Sequence, residues 1–108
     1  MPESTDRGAL TEAVYYILLS LFKPMHGYGI MQNVVRLSHG RVNLGPGTLY
    51  GAINTLLDKH WIKALDNMEN SRKKEYVITS QGIDAVSREV TRLQELLENG
   101  HKVLEAQL

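Results

Sequence analysis

Residues 44–63 read LGPGTLYGAINTLLDKHWIK. The Gly45-Pro46-Gly47 turn hands directly into a helix, because proline suits the first helical position. Leu49, Ile53, Leu56 and Leu57 then recur at helical spacing, with Ala52 beside them. On a wheel of about 3.6 residues per turn, Gly47, Gly51, Asn54 and Thr55 fall opposite that stripe, flanked by Thr48 and Tyr50. No acid appears on that outer face until Asp58. A solvated helix face would carry Glu and Lys, whereas a bare face of hydroxyl and amide groups suits a helix pressed against another surface. The DNA major groove is one such surface, and the free N–H groups of a helix start favour phosphate. A buried helix packed on both sides would look the same in this stretch alone, so the rest of the chain has to decide.

With 108 residues, 43% of them hydrophobic, and a formal net charge of +0, the chain is expected to form one globular domain that gains further burial by pairing. It has no cysteine, which excludes a disulfide framework, a thiolate metal site and a cysteine nucleophile. No run approaches the roughly 18 apolar residues of a membrane span, and no signal peptide is read ahead of the first helix. The expectation is a soluble, cytoplasmic domain. The zero net charge conceals segregation: residues 1–22 carry −2, residues 23–74 carry +5 and residues 75–108 carry −3. Local basic surface, rather than the chain total, drives phosphate binding.

Residues 1–9 lack periodicity and read as a tail. Leu10, Val14, Ile17, Leu18 and Leu21 predict a helix over 10–22, and Tyr15, Tyr16, Leu19 and Phe22 make it apolar almost all round. Such a helix is buried twice, once in its own subunit and once against a partner. Pro24 ends it. Residues 26–37 form a second helix with Ile30, Met31, Val34 and Leu37 facing inward, stopped at Gly40 as a left-handed cap. Residues 61–65 and 74–79 alternate as two strands around a polar turn, with Tyr76 and Ile78 on one face. The run Arg72-Lys73-Lys74 closes that turn, and the hairpin reads either as a DNA-binding wing or as a solvated hairpin with protective edge lysines.

After Thr79-Ser80, a last helix carries Ile83, Val86, Val90, Leu93, Leu97, Leu104 and Leu108. The early spacings are heptad spacings, with Arg88, Glu89, Arg92, Glu95 and Glu98 on the flanks. Asn99-Gly100 interrupts the pattern and predicts a bend or an end there. The helix outruns what a small domain can cover, so dimerisation is its simplest role; the alternative is a helix folded back on its own domain.

No catalytic constellation emerges. His26, His39, His60 and His101 are scattered without metal-ligand spacing, so no metal is expected. Gly45-x-Gly47 lacks a third glycine, and no P-loop occurs, so no cofactor is expected either. Nor do the hydroxyl residues form a plausible set with a histidine and an acid. The chain reads as a non-enzyme.

The predicted fold class is mainly α with a small β-hairpin: a tail (1–9), a winged helix-turn-helix DNA-binding domain (10–80) and a C-terminal dimerisation helix (81–108). In its motifs the sequence resembles the PadR family of transcriptional regulators, in the short form with a single C-terminal helix. The carriers are His26-Gly27-Tyr28-Gly29-Ile30, Leu44-Gly45-Pro46-Gly47-Thr48-Leu49-Tyr50, and Lys74-Glu75-Tyr76-Val77-Ile78-Thr79 with Gly82. The resemblance implies Gly47, Thr48 and Tyr50 at the DNA-facing start of the recognition helix and His26 and Tyr28 near the DNA backbone. It makes Arg72, Lys73 and Lys74 the wing's phosphate contacts. Tyr76 either reaches phosphate or packs under the wing.

The resemblance also implies a homodimer paired through the first and last helices, for which Leu10, Val14, Leu18, Val90, Leu93, Leu97 and Leu104 are the expected contacts. It implies repression, with release by a small aromatic effector in some members. This chain departs from the pattern in two places: His60 replaces a usual glycine, and residues 83–108 contain no aromatic side chain. Effector walls would therefore come from Tyr15, Tyr16 and Phe22, unless these only pack in the dimer core. Asn54 and Thr55 are expected to touch bases, although no family motif covers them. The expected function is a sequence-specific, homodimeric repressor binding double-stranded DNA at a pseudo-palindromic operator; the alternative is a winged-helix protein–protein interaction module.

Overall fold

The computed structural model describes residues 8–65 and 74–107. These form four helices and three short strands: α1 (Glu12–Ser20), β1 (Met25–His26), α2 (Gly27–Leu37), α3 (Pro46–Asp58), β2 (Ile62–Leu65), β3 (Glu75–Ile78) and α4 (Ser80–Gln107). The mainly helical class with a small antiparallel sheet matches the expectation from sequence.

Thr11 caps α1, its Oγ1 accepting from the Val14 N–H at 3.1 Å. Regular helix stops at Ser20, two residues earlier than the apolar pattern predicts. The cause is sheet formation: the Leu21 carbonyl accepts from the Ile78 N–H at 2.8 Å, which ties the end of α1 to β3. The sheet has the order β1-β3-β2, with Met25 opposite Tyr76 and Ile62 opposite Ile78. Strand β1 was not expected from the sequence, because two residues are too few to show alternation.

α2 and α3 are the helix-turn-helix. At the end of α2 the left-handed conformation begins one residue before the expected cap, at His39 (φ 54), and continues through Gly40 (φ 82). The buried Ser38 secures this turn, its Oγ accepting from the Val42 N–H at 2.9 Å. The core is built from the predicted stripes: Ile17 and Leu18 of α1 with Leu21 just beyond it, Ile30 and Val34 of α2, and Leu49, Ile53 and Leu56 of α3. Ile62, Tyr76, Ile78 and Val86 close it from the sheet and the start of α4.

The junction into α4 is tightly specified. Thr79 Oγ1 donates to the His60 carbonyl at 2.6 Å and accepts from the Gly82 N–H at 3.2 Å. A Cβ on Gly82 would lie 2.1 Å from the Trp61 carbonyl oxygen, so only glycine permits this approach. His60, where the resemblance calls for glycine, takes φ 63.

α4 runs unbroken through Asn99 and Gly100 to Gln107, against the expected bend or end. One glycine costs a helix about 1 kcal/mol, too little to stop a segment of good helix formers on both sides. Its buried residues, Gly82, Ala85, Val86 and Glu89, all lie in its N-terminal part, and the helix then projects away from the domain. The molecule is accordingly elongated, with extents of 60 × 32 × 22 Å and a radius of gyration of 16.1 Å, against about 13 Å for a compact chain of this size.

Candidate nucleic-acid interface

Side-chain hydrogen bonds tie α2 of the helix-turn-helix to α1. Asn33 Nδ2 donates to Ser20 Oγ at 2.9 Å, and Ser20 Oγ donates to the Tyr16 carbonyl at 2.8 Å, so a polar bridge joins α2 to α1. Arg36 extends this chain by donating to the Asn33 side-chain oxygen. Arg41, in the turn, pairs with Glu12 of α1, which raises the arginine pKa further through that hydrogen bond and charge. One base of the positive middle segment is therefore already matched by an acid and adds little to the phosphate-facing field.

α3 presents its expected outer face. Leu49, Ile53 and Leu56 are buried, while Gly47, Thr48, Gly51, Asn54 and Thr55 are exposed. Beyond Gly47 and Gly51 lies open space: nothing in the chain stands within 4 Å of where a Cβ would sit on either. The Thr55 hydroxyl donates to the Gly51 carbonyl at 3.2 Å. Gly45 gives the helix start no side-chain cap, so no side chain competes for the first-turn N–H groups.

Tyr50 is 44% exposed, with the end of its ring resting against Gly27 at the start of α2. It spaces the two helices of the motif as well as facing outward. His26 is the N-cap of α2, its Nδ1 accepting from the Gly29 N–H at 3.2 Å, and Tyr28 beside it is 62% exposed. Tyr76 takes the packing alternative. It is largely buried with the core under the sheet, and that burial, with Tyr50 nearby, pushes its phenol pKa up. Lys74 is exposed at the start of β3, and Lys63 is exposed on β2. Arg72 and Lys73 lie outside the described residues.

The expected partner-facing residues divide. Val90, Leu93, Leu97 and Leu104 form an exposed apolar stripe along α4, with Leu97 56% and Leu104 65% exposed. Leu10 and Val14 are half-buried and pack on the core. Leu18 does not belong to this set: it is fully buried in its own subunit and has no surface left for a second chain. On a helix apolar all round, the sequence could not say which residues turn inward.

Tyr15 and Tyr16, in edge-on contact at 5.9 Å, line a cleft of about 300 Å³ between α1 and α4, together with Leu10, Glu12, Arg41, Glu89, Arg92 and Leu93. Phe22, the third expected wall, does not line this cleft; it lies beyond the C-terminus of α1 and is exposed. The sequence also missed Glu89. Read as a flank of the heptads, it is buried, and its two carboxylate oxygens accept from Nε and Nη2 of Arg92 at 2.9 and 2.6 Å. Arg92 holds the Glu89 carboxyl below the usual glutamate range; burial opposes this, and the Leu10 backbone N–H assists it. The spacing of three between Glu89 and Arg92 is visible in the sequence, but burial of the pair is not. Among the described residues no group of acids and histidines is arranged to hold a metal, and no helix is long and apolar enough to cross a membrane.

The profile of the PadR-like transcriptional regulator family matches residues 16–88. A 37.1 kDa protein of transposon Tn4556 in Streptomyces fradiae is 34% identical over 73 residues, which are 68% of this chain but only 20% of that protein. Two solved structures share the fold. A transcriptional regulator from Clostridium thermocellum has a TM-score of 0.69 at 22% identity, over 85% of this chain and 90% of that one. A PadR family regulator from Eggerthella lenta has a TM-score of 0.68 at 23% identity, over 85% and 80%. With the profile covering more than half of its residues, this chain belongs to the PadR-like family of transcriptional regulators.

Proposed function

We propose that the chain is a sequence-specific DNA-binding repressor, acting as a homodimer on a pseudo-palindromic operator. The observation that carries the reading is the pair of glycines on the outward face of α3. A glycine inside a helix costs about 1 kcal/mol relative to alanine, and the open space at Gly47 and Gly51 means that the chain's own packing requires neither. Close approach of an outside surface does require them, and a major groove admits a helix of this kind. The wing, with Lys63 and Lys74 and the preceding Arg72-Lys73, supplies positive charge for the adjoining backbone.

The exposed stripe of Val90, Leu93, Leu97 and Leu104 is assigned to a second copy of the chain, as its heptad spacing favours. Two-fold pairing then sets half-sites about 34–36 Å apart, or a multiple of that distance. The cleft beside Tyr15 and Tyr16 suits a small aromatic effector in size and lining.

A gel-shift titration with DNA from immediately upstream of the chain's own gene, in the presence of nonspecific competitor, tests the proposal. A discrete shift that survives the competitor is expected. Absence of a specific complex there and at neighbouring promoters would overturn the reading in favour of a protein–protein interaction module.

A further inference from the structure

The outward face of α3 carries a narrow chemical inventory. From Gly47 to Thr55 it offers glycines, Thr48, Asn54, Thr55 and the partly exposed Tyr50, whose ring end rests on Gly27, with no Arg, Lys, Gln, Glu or Asp. Guanine is read in the major groove by a cation reaching O6 and N7, and the cytosine amino group asks for a carboxylate. The first charge available is Asp58 in the last turn, about 6 Å further along the axis than Asn54. Adenine, by contrast, is matched by a carboxamide that accepts from N6 and donates to N7, and thymine by a small apolar contact to its methyl group.

The geometry favours that second pairing. Asn54 is exposed and makes no hydrogen bond among the described residues, so both its donor and its acceptor remain available. Its side chain is short and reaches a base edge only if the helix axis comes close. Gly51, three residues before it and its neighbour on the helix surface, leaves that approach open. Thr55 spends its hydroxyl proton on the Gly51 carbonyl, which leaves the γ-methyl and the oxygen lone pairs for outside contacts.

We propose that α3 reads A·T base pairs, with Asn54 as the adenine-reading residue and the Thr55 methyl against a thymine methyl. The proposal rests on the DNA-binding reading given above and specifies what that surface selects.

Selection of duplexes from a randomised pool by the full chain tests it, followed by titrations with Asn54→Ala and Thr55→Ser. Both substitutions are at exposed positions, and an unchanged melting temperature confirms their folding. The expected half-site contains an A·T pair at which Asn54→Ala loses discrimination by on the order of tenfold. Replacing the neighbouring thymine by deoxyuridine, which removes only the methyl, should weaken the native chain several-fold and leave Thr55→Ser unaffected. Selection of G·C at the position that responds to Asn54→Ala would overturn the base assignment and leave specific DNA binding standing. Failure to enrich any sequence would overturn the DNA-binding reading and this proposal together.

Discussion

The phenol oxygen of Tyr50 occupies the space where a side chain on Gly27 would begin: a Cβ at Gly27 would lie 2.1 Å from it. The two residues belong to different motifs, His26-Gly27-Tyr28 and Thr48-Leu49-Tyr50, and their contact sets how closely the start of α2 approaches α3. The residue pairing thus explains why these two motifs go together in one sequence.

A double-mutant cycle measures that contact. Gly27→Ala alone should destabilise the chain by about 1 kcal/mol, because the added methyl displaces the Tyr50 ring. In a Tyr50→Ala background the same change should be neutral or stabilising by up to about 1 kcal/mol, the ordinary helix preference of alanine over glycine. Urea unfolding reads the coupling; additive effects would show that the two residues do not constrain each other.

Gly51→Ala should act in opposite directions on stability and function. The open space at Gly51 accepts a methyl, so the fold should gain about 0.5–1 kcal/mol. Specific DNA affinity should fall, because the methyl stands between the helix and the groove. A stabilised variant with undiminished affinity would remove this part of α3 from the interface.

The Glu89–Arg92 pair gives stability a defined pH dependence. The folded carboxyl titrates below the ordinary glutamate value of 4.5, chiefly because Arg92 hydrogen-bonds it. Its contribution is therefore fully present above that value and is lost as the pH falls through the lower, folded pKa. Melting temperatures should decline over that acidic window in the native chain and less steeply in Glu89→Gln. Equal slopes would mean that the Glu89 carboxylate and its bond to Arg92 add no stability to the folded chain.

Leu97→Glu should separate the proposed dimer. Leu97 is 56% exposed and outside the core, so the substitution should leave the monomer fold intact and place a charge in the stripe assigned to the partner. Light scattering should give a monomer mass, with DNA affinity falling in step. A stable, active dimer would contradict an α4 interface.

How much of this was legible in the sequence follows from what each signal depends on. Ile17 and Leu21, Leu49 and Ile53, and Ile78 and Val86 were readable because periodic burial leaves a periodic pattern, and the exposed face of α3 followed as its complement. Leu18 was assigned to a partner because a helix apolar on every face does not reveal which side the core takes. β1 escaped because a two-residue strand has no period, and its existence depends on Tyr76 and Glu75 arriving from far along the chain. Glu89 was misplaced because a group it meets outside its own helix, the backbone of Leu10, lies far from it in the sequence. The continuity of α4 through Gly100 reflects the helix propensity of its neighbours outweighing one glycine.

The salt dependence of binding tests the central claim most directly. Fluorescence anisotropy with a selected operator duplex, over a series of salt concentrations, gives the slope of log K against log salt. Two wings and two α3 starts contacting about 6–10 phosphates predict a slope of roughly −5 to −9. A slope near zero would contradict a dimer that grips DNA through these surfaces.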